Sequence, residues 1–334
     1  MRTFTTAIGV GLAGLLLAGC GARVQEAGPS ASSGPGTTVT NCGAPLKIPS
    51  VPRRVVANDT GITELLFALG LGNHMAGYTT YDGKHVDYET SPWRTDFDTV
   101  HNLGTAFTRE VIQAAEPDFV FAGWNYGFKE ATGVTPDWIR SIGAVPYQLT
   151  EACRQPGTTK RGIMPPLDAL YADITNLGRI FGVQDRAEKL VTDYRARIDA
   201  VSKQAPARKA RVFLFDSASP DPFTAGREAT PQAIIDAAGA ENVSADLDDS
   251  WVTTSWEAAA QSDPQVIVIV DYGVGQENTP QAKIAQLRSQ PLMAGTTAVR
   301  QGNYLVLPYA ALVEGPRTPD SVERLAKYLR GKGM

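Results

Sequence analysis

Two glutamates open the same phrase. Residues 110–121 read EVIQAAEPDFVF and residues 257–268 read EAAAQSDPQVIV: a Glu, six residues, a Pro, one polar residue and an apolar run. Thr108 and Ser255 precede Glu110 and Glu257 as good N-caps, so each glutamate falls in the first turn of a helix. A carboxylate there compensates the helix dipole by about 0.3–1 kcal/mol, which accounts for either one alone. Two at matched positions of matched halves have a second use. One carboxylate per half can grip two cationic patches on a two-fold partner.

The elements that must carry them also repeat. Pro117 and Pro264 stop their helices, because Pro donates nothing to the ladder and disfavours α at the residue before it. RRVVAND (53–59) and ARVFLFD (210–216) are short strands, and TGITELLFALGLG (60–72) and TPQAIIDAAGAEN (230–242) are helices stopped at Gly70 and Gly239. DFVFAG and QVIVIVD are strands, VPYQL and NYLVLP are the last strand of each half, and PDSVERLAKYLRG is a closing helix. The stretch between the first helix and about residue 105 reads as irregular. Fully apolar strands alternating with helices indicate α/β lobes with mainly parallel sheets flanked by helices. Between the halves, PPLDALYADITNLGRIFG places Leu167, Leu170, Ile174 and Leu177 on one face and breaks at Gly182. VQDRAEKLVTDYRARIDAVSKQA restarts with Leu190, Tyr194, Ile198 and Val201 in register, a charged-faced helix about 30 Å long that reads as a rod joining two lobes.

The chain has 334 residues, 43% hydrophobic, enough for two domains. A net charge of −4 without a long basic run argues against a nucleic-acid partner. MRTFTTAIGVGLAGLLLAGC is an export signal, with Arg2 before an apolar stretch too short to span a bilayer. GVGLAG inside it fits a dinucleotide fingerprint but has no strand before it and no βαβ unit. The ending LAGC resembles a bacterial lipobox, which implies cleavage before Cys20 and a lipid on that residue. Residues 21–40, rich in Gly, Pro and Ser, read as a flexible tether. In an oxidising compartment Cys42 and Cys153 are expected to pair. The divisions expected are therefore a signal at 1–19, a tether at 20–41, an N-terminal lobe at 42–164, a helical region with the rod at 165–205 and a C-terminal lobe at 206–334.

In open α/β sheets, ligands bind beyond the carboxyl ends of the strands. Asn58 and Asp59, then Trp124, Asn125 and Tyr126, follow strands of the first half; Asp216, Asp271, Tyr272 and Tyr309 follow strands of the second. Aromatic rings at these ends suit a large flat or greasy ligand, with polar tips to orient it. Tyr81, Trp93 and Trp251 are further candidates for the wall. His74, His85 and His101 all fall in the first half without tight ligand spacing and read as polar loop residues; no metal site is expected. The mature chain shows no G-x-S-x-G, H-E-x-x-H or Walker motif, so no enzyme activity is expected.

Several segments taken in order resemble the class III periplasmic binding proteins of ferric-siderophore, haem and cobalamin ABC importers. They are the lipobox, PRRVV…TELLFALGLGNHMAGY, REVIQAAEPDFVFA, the rod, FTAGRE, SWEAAAQSDPQVIVI and GPRTPDSVERLAKYL. The resemblance spans nearly all of the chain from Cys42. It implies two α/β lobes joined by one long helix, ligand in the cleft between them, and Glu110 and Glu257 docking onto a dimeric permease with its ATPase. It also places Arg227 and Arg317 near the cleft, where arginine would suit an anionic chelate. The expected cargo is an iron(III)–siderophore complex, with cobalamin or haem as alternatives and no covalent cofactor. The membrane would be met through the lipid on Cys20, on the periplasmic or outer face. An exported hydrolase or a metal-binding lipoprotein is the reading from another class.

Overall fold

The computed structural model describes residues 36–80, 85–273 and 278–334. The export signal, Cys20, most of the tether and Tyr81 lie outside them. The described chain opens on an antiparallel hairpin, β1 (Thr37–Asn41) and β2 (Ala44–Ile48). The tether therefore ends earlier than residue 41: Val39 and Ile48 are buried, because TTVT alternates with the period of a half-buried strand. The turn residue Cys42 forms a disulfide with Cys153, Cα–Cα 5.2 Å, and fixes the hairpin to the end of the first half.

The first half runs β3 (Val55–Asn58), α1 (Thr60–Ala68), β4 (Met75–Thr79), the short helices α2 (His85–Glu89), α3 (Arg94–Phe97) and α4 (Arg109–Ala114), then β5 (Phe119–Trp124), β6 (Gly127–Phe128), α5 (Pro136–Ser141) and β7 (Val145–Gln148). Its sheet has the order β4-β3-β5-β7, every pair parallel. The strand β4 lies in the stretch read as irregular. Its sequence, MAGYT, has little β-branching, and Gly77 is there because a Cβ would sit 2.7 Å from the Leu103 side chain.

Two helices follow, α6 (Pro166–Phe181) and α7 (Gln184–Ser202), separated at Gly182, whose φ of 70° is the left-handed conformation that ends a helix. Tyr194 of α7 packs into the core of the first half, while Ile198 and Val201 pack into a core of the second. One helix thus belongs to both hydrophobic cores.

The second half runs β8 (Arg211–Phe215), β9 (Ser217–Ala218), β10 (Pro222–Ala225), α8 (Thr230–Ala237), β11 (Glu241–Asn242), β12 (Trp251–Thr253), α9 (Trp256–Gln261), β13 (Val266–Asp271), α10 (Pro280–Ser289), α11 (Pro291–Ala294), α12 (Thr297–Gln301), β14 (Tyr304–Pro308) and α13 (Thr318–Gly331). Its main sheet has the order β11-β8-β13-β14, again parallel throughout, with a small antiparallel sheet β12-β10-β9 beside it. In each half, the first strand sits between the second and the third, and the fourth flanks the third. The order reverses between β3 and β5 and between β8 and β13, which puts a ligand crevice at the carboxyl ends of those strands.

Candidate functional site

The phrase that begins with glutamate folds alike in both halves. Thr108 accepts from the Val111 amide at 3.4 Å and Ser255 from the Ala258 amide at 3.1 Å, capping α4 and α9. Glu110 and Glu257 are exposed in the first turns. Glu110 has its pKa lowered by its own backbone amide and by Thr108. Glu116 and Asp263, the residues before the two prolines, take φ of 46° and 41°. Each half then adds a clamp unforeseen in the sequence reading. Arg54 donates through Nε to Glu116 O (2.8 Å) and through Nη2 to Ala115 O (2.6 Å). Arg211 donates through Nε to Ser262 O (2.8 Å) and through Nη2 to Asp263 O (2.7 Å). A guanidinium on the last carbonyls satisfies orphan acceptors and opposes the dipole where a helix ends. The signal was present, since Arg54 immediately precedes β3 and Arg211 opens β8.

The crevice is a cavity of about 390 Å³ between the halves. Asn58 and Asp59 follow β3, Asn125 and Tyr126 follow β5, Asp216 follows β8 and Tyr272 follows β13; Trp251, Tyr309, Phe107 and Phe223 complete most of the wall. Tyr126 depends on Gly123, where a Cβ would lie 2.2 Å from the phenol ring. Burial, with the Glu151 carboxylate next in effect, pushes the Tyr126 hydroxyl well above its ordinary pKa. Tyr272 and Tyr309 stack at 5.2 Å with their planes 26° apart. The Tyr272 hydroxyl donates to Asp216 Oδ2 at 2.7 Å, and that of Tyr309 crosses to Asp59 Oδ2 in the other half at 2.9 Å. Phe223 and Trp251 form a second stack at 6.1 Å. The fold thus assembles Tyr126, Trp251, Tyr272 and Tyr309 in one wall. Trp124 closes β5.

Three expected wall residues stand elsewhere. Arg317 is buried in the seam between the halves. It donates through Nε to Glu64 Oε2 (2.7 Å) and through Nη2 to Glu64 Oε1 and the Asp87 carbonyl, and its Nη1 reaches Thr90 Oγ1 (3.0 Å). Its charge is spent on a buried partner. Arg227 lines a groove of about 770 Å³ against α7 and α8, and pairs with Asp248 at 2.6 Å. Trp93 packs half-buried on the core of the first half. Conversely, Arg161 lines the cavity although nothing in its polar loop sequence marked it. It is brought there by Asp249, at 3.4 Å from Nε, and by the Trp251 carbonyl.

Below the cavity, the segment 309–318 carries the rest of the seam. Ala310 N donates to Asp87 Oδ1 and Glu151 N donates to Glu314 Oε2, both at 2.8 Å. Glu151 accepts from Ser250 Oγ (2.8 Å), Trp251 Nε1 (3.1 Å) and Thr230 Oγ1 (2.5 Å). Glu314 Oε1 is buried with no hydrogen-bond partner among the described residues. Burial, with Asp173 and Glu151 alongside, raises the Glu314 pKa well above its ordinary value.

Two halves of like topology, one helix common to their cores and an aromatic cavity between facing strand ends define a two-lobed binding protein. The periplasmic binding protein family matches residues 55–311, and the chain belongs to it. It is 24% identical over 328 residues to the "Uncharacterized ABC transporter substrate-binding lipoprotein YvrC" of Bacillus subtilis, covering 95% of this chain and 94% of that one. It is 23% identical over 289 residues to a "Cobalamin-binding protein" of Halobacterium salinarum, covering 84% of this chain and 70% of the relative. The fold also matches the structure described as "ABC-type Fe3+-hydroxamate transport system" from Saccharomonospora viridis, with a TM-score of 0.72 at 24% identity, covering 88% of this chain and 98% of that one. Among the described residues no helix is long and apolar enough to cross a membrane.

Proposed function

We propose that this protein is a membrane-tethered receptor that captures an iron(III)–siderophore complex in the cavity between its lobes and presents it to an ABC permease through Glu110 and Glu257. One observation carries the reading. The cavity wall runs directly into the loops that start the two glutamate-bearing helices: Phe107 lies three residues before Glu110, and Trp251 lies on the strand leading to α9 and Glu257. That adjacency supports a reading in which ligand and both carboxylates share the rim where the lobes face each other. The tether is Cys20, lipidated at the lipobox, in keeping with a relative named a lipoprotein. An iron chelate agrees with the hydroxamate-transport neighbour and with walls of stacked rings and polar tips. A corrinoid is the second reading, favoured by the cobalamin-binding relative.

The test reverses both charges. With Glu110→Lys and Glu257→Lys, ligand capture measured on the purified protein stays normal while uptake by cells is lost. Unchanged uptake would remove the docking role, and loss of capture would move the glutamates into the ligand site.

A further inference from the structure

We propose that Glu151 is a positioning residue for the ligand: from behind the cavity wall it sets the orientation of the Trp251 indole, and with it the fit of the bound molecule. This deepens the reading above and rests on the cavity being the ligand site. Trp251 lines the cavity and stacks on Phe223, another residue of the wall, at 6.1 Å. Its Nε1 donates to Glu151 Oε1 at 3.1 Å, across the seam between the halves. Ser250 Oγ donates to the same oxygen at 2.8 Å, while Thr230 donates to Oε2 through its amide (3.3 Å) and its hydroxyl (2.5 Å). Each oxygen of the buried carboxylate thus accepts one N–H and one hydroxyl, all from the second half.

The carboxylate can aim a ring because its own place is over-determined. Thr150 donates to Asp173 through its amide (2.8 Å) and its hydroxyl (2.5 Å), Glu151 N donates to Glu314 Oε2 at 2.8 Å, and Cys153 is tied to Cys42. The same loop reaches the tryptophan a second time. Arg161 N donates to Asp249 Oδ1 at 2.9 Å, and Arg161 Nη2 donates to the Trp251 carbonyl. Indole and backbone of one wall residue are therefore held from two points of one loop of the opposite half. Joining the halves does not by itself call for this acid, since a well-packed apolar side chain would do so without the desolvation a buried carboxylate suffers. An apolar side chain cannot accept the indole N–H. The second side-chain torsion of Trp is broad and roughly two-fold, and a fixed acceptor for Nε1 selects one orientation of the ring.

The experiment measures, by calorimetry on the full chain, binding of ferrioxamine B, a ferric trihydroxamate, and of cyanocobalamin. The proteins are the wild type, Glu151→Leu, Trp251→Phe and the double variant. Leu removes the acceptor at similar volume, and Phe keeps a ring without the N–H. For a probe that the wild type binds, Glu151→Leu should weaken binding about tenfold, the size of one lost hydrogen bond, and should have no further effect in the Trp251→Phe background. Wild-type affinity in Glu151→Leu, or an equal loss in both backgrounds, overturns the positioning role and leaves the receptor reading standing. If Glu151→Leu does not fold, wild-type protein isotope-labelled at the tryptophan nitrogens decides. The indole N–H signal that Trp251→Phe deletes should shift when the probe is added and stay slow to exchange with solvent. A signal indifferent to the probe, or one that exchanges freely in the complex, overturns the proposal. Binding of neither probe by the wild type overturns the ligand reading itself, and this inference with it.

Discussion

Glu314→Gln removes a buried titrating acid from the seam. In the fold this acid accepts from the Glu151 amide, and burial with the Asp173 and Glu151 charges raises its pKa well above the ordinary 4.5. A group that binds its proton more tightly in the folded state stabilises the protein fully below its unfolded pKa. That stability is lost as pH rises toward the folded value. Each pH unit between the unfolded and the folded pKa costs at most about 1.4 kcal/mol through one such group. Asp173 and Glu151, also raised by burial, slope the same way. Glutamine keeps the acceptor for Glu151 N and does not titrate. Urea unfolding at pH 5, 6, 7 and 8, followed by tryptophan fluorescence, should show the variant's stability falling less steeply as pH rises, by at most about 1.4 kcal/mol per unit. Parallel profiles for the two proteins would refute the raised pKa of Glu314. So would a variant that has lost several kcal/mol at pH 5, where the acid and the amide should be equivalent.

Two other perturbations read the seam and the hairpin. Arg317→Met leaves Glu64 buried without its partner and should cost about 3–5 kcal/mol. The double variant Glu64→Leu with Arg317→Met should recover most of that loss, and a double variant no more stable than the single would show that the pair is not what holds these elements. The Cys42–Cys153 cross-link spans 111 residues. The chain-entropy relation gives about 4.8 kcal/mol for a loop of that length, so reduction, or Ser at both positions, should lower the urea midpoint by a corresponding amount. An unchanged midpoint would mean that the hairpin closes as readily without the bond.

Much of the architecture was legible because it depends on local period and on repetition. The apolar runs before Trp124 and Asp271, the caps at Thr108 and Ser255 and the stops at Gly70 and Gly182 are properties of a few neighbouring residues. The strand-end rule placed Asn58, Asp59, Tyr126, Asp216, Tyr272 and Tyr309 near one another, and all of them line one cavity. What escaped was weakly patterned or non-local. β4 carries too little β-branching to show, and β12 is only three residues long. Arg161 reaches the wall through partners 88 and 90 residues away.

The arginines show where sequence stops. By residue type, Arg227 and Arg317 were as fit as Arg161 to meet an anion, because a guanidinium shows its charge in any context but not its partner. The sequence by itself determined two α/β halves, the phrase that places one glutamate at the head of a helix in each, and the helix between them. Tertiary structure alone decided which charged groups border the cavity. Pairing Arg317 with Glu64 and Arg227 with Asp248 holds those two arginines elsewhere, while Arg161, Asp59 and Asp216 line the wall, since a charged group is held by whatever the fold brings within a few ångströms.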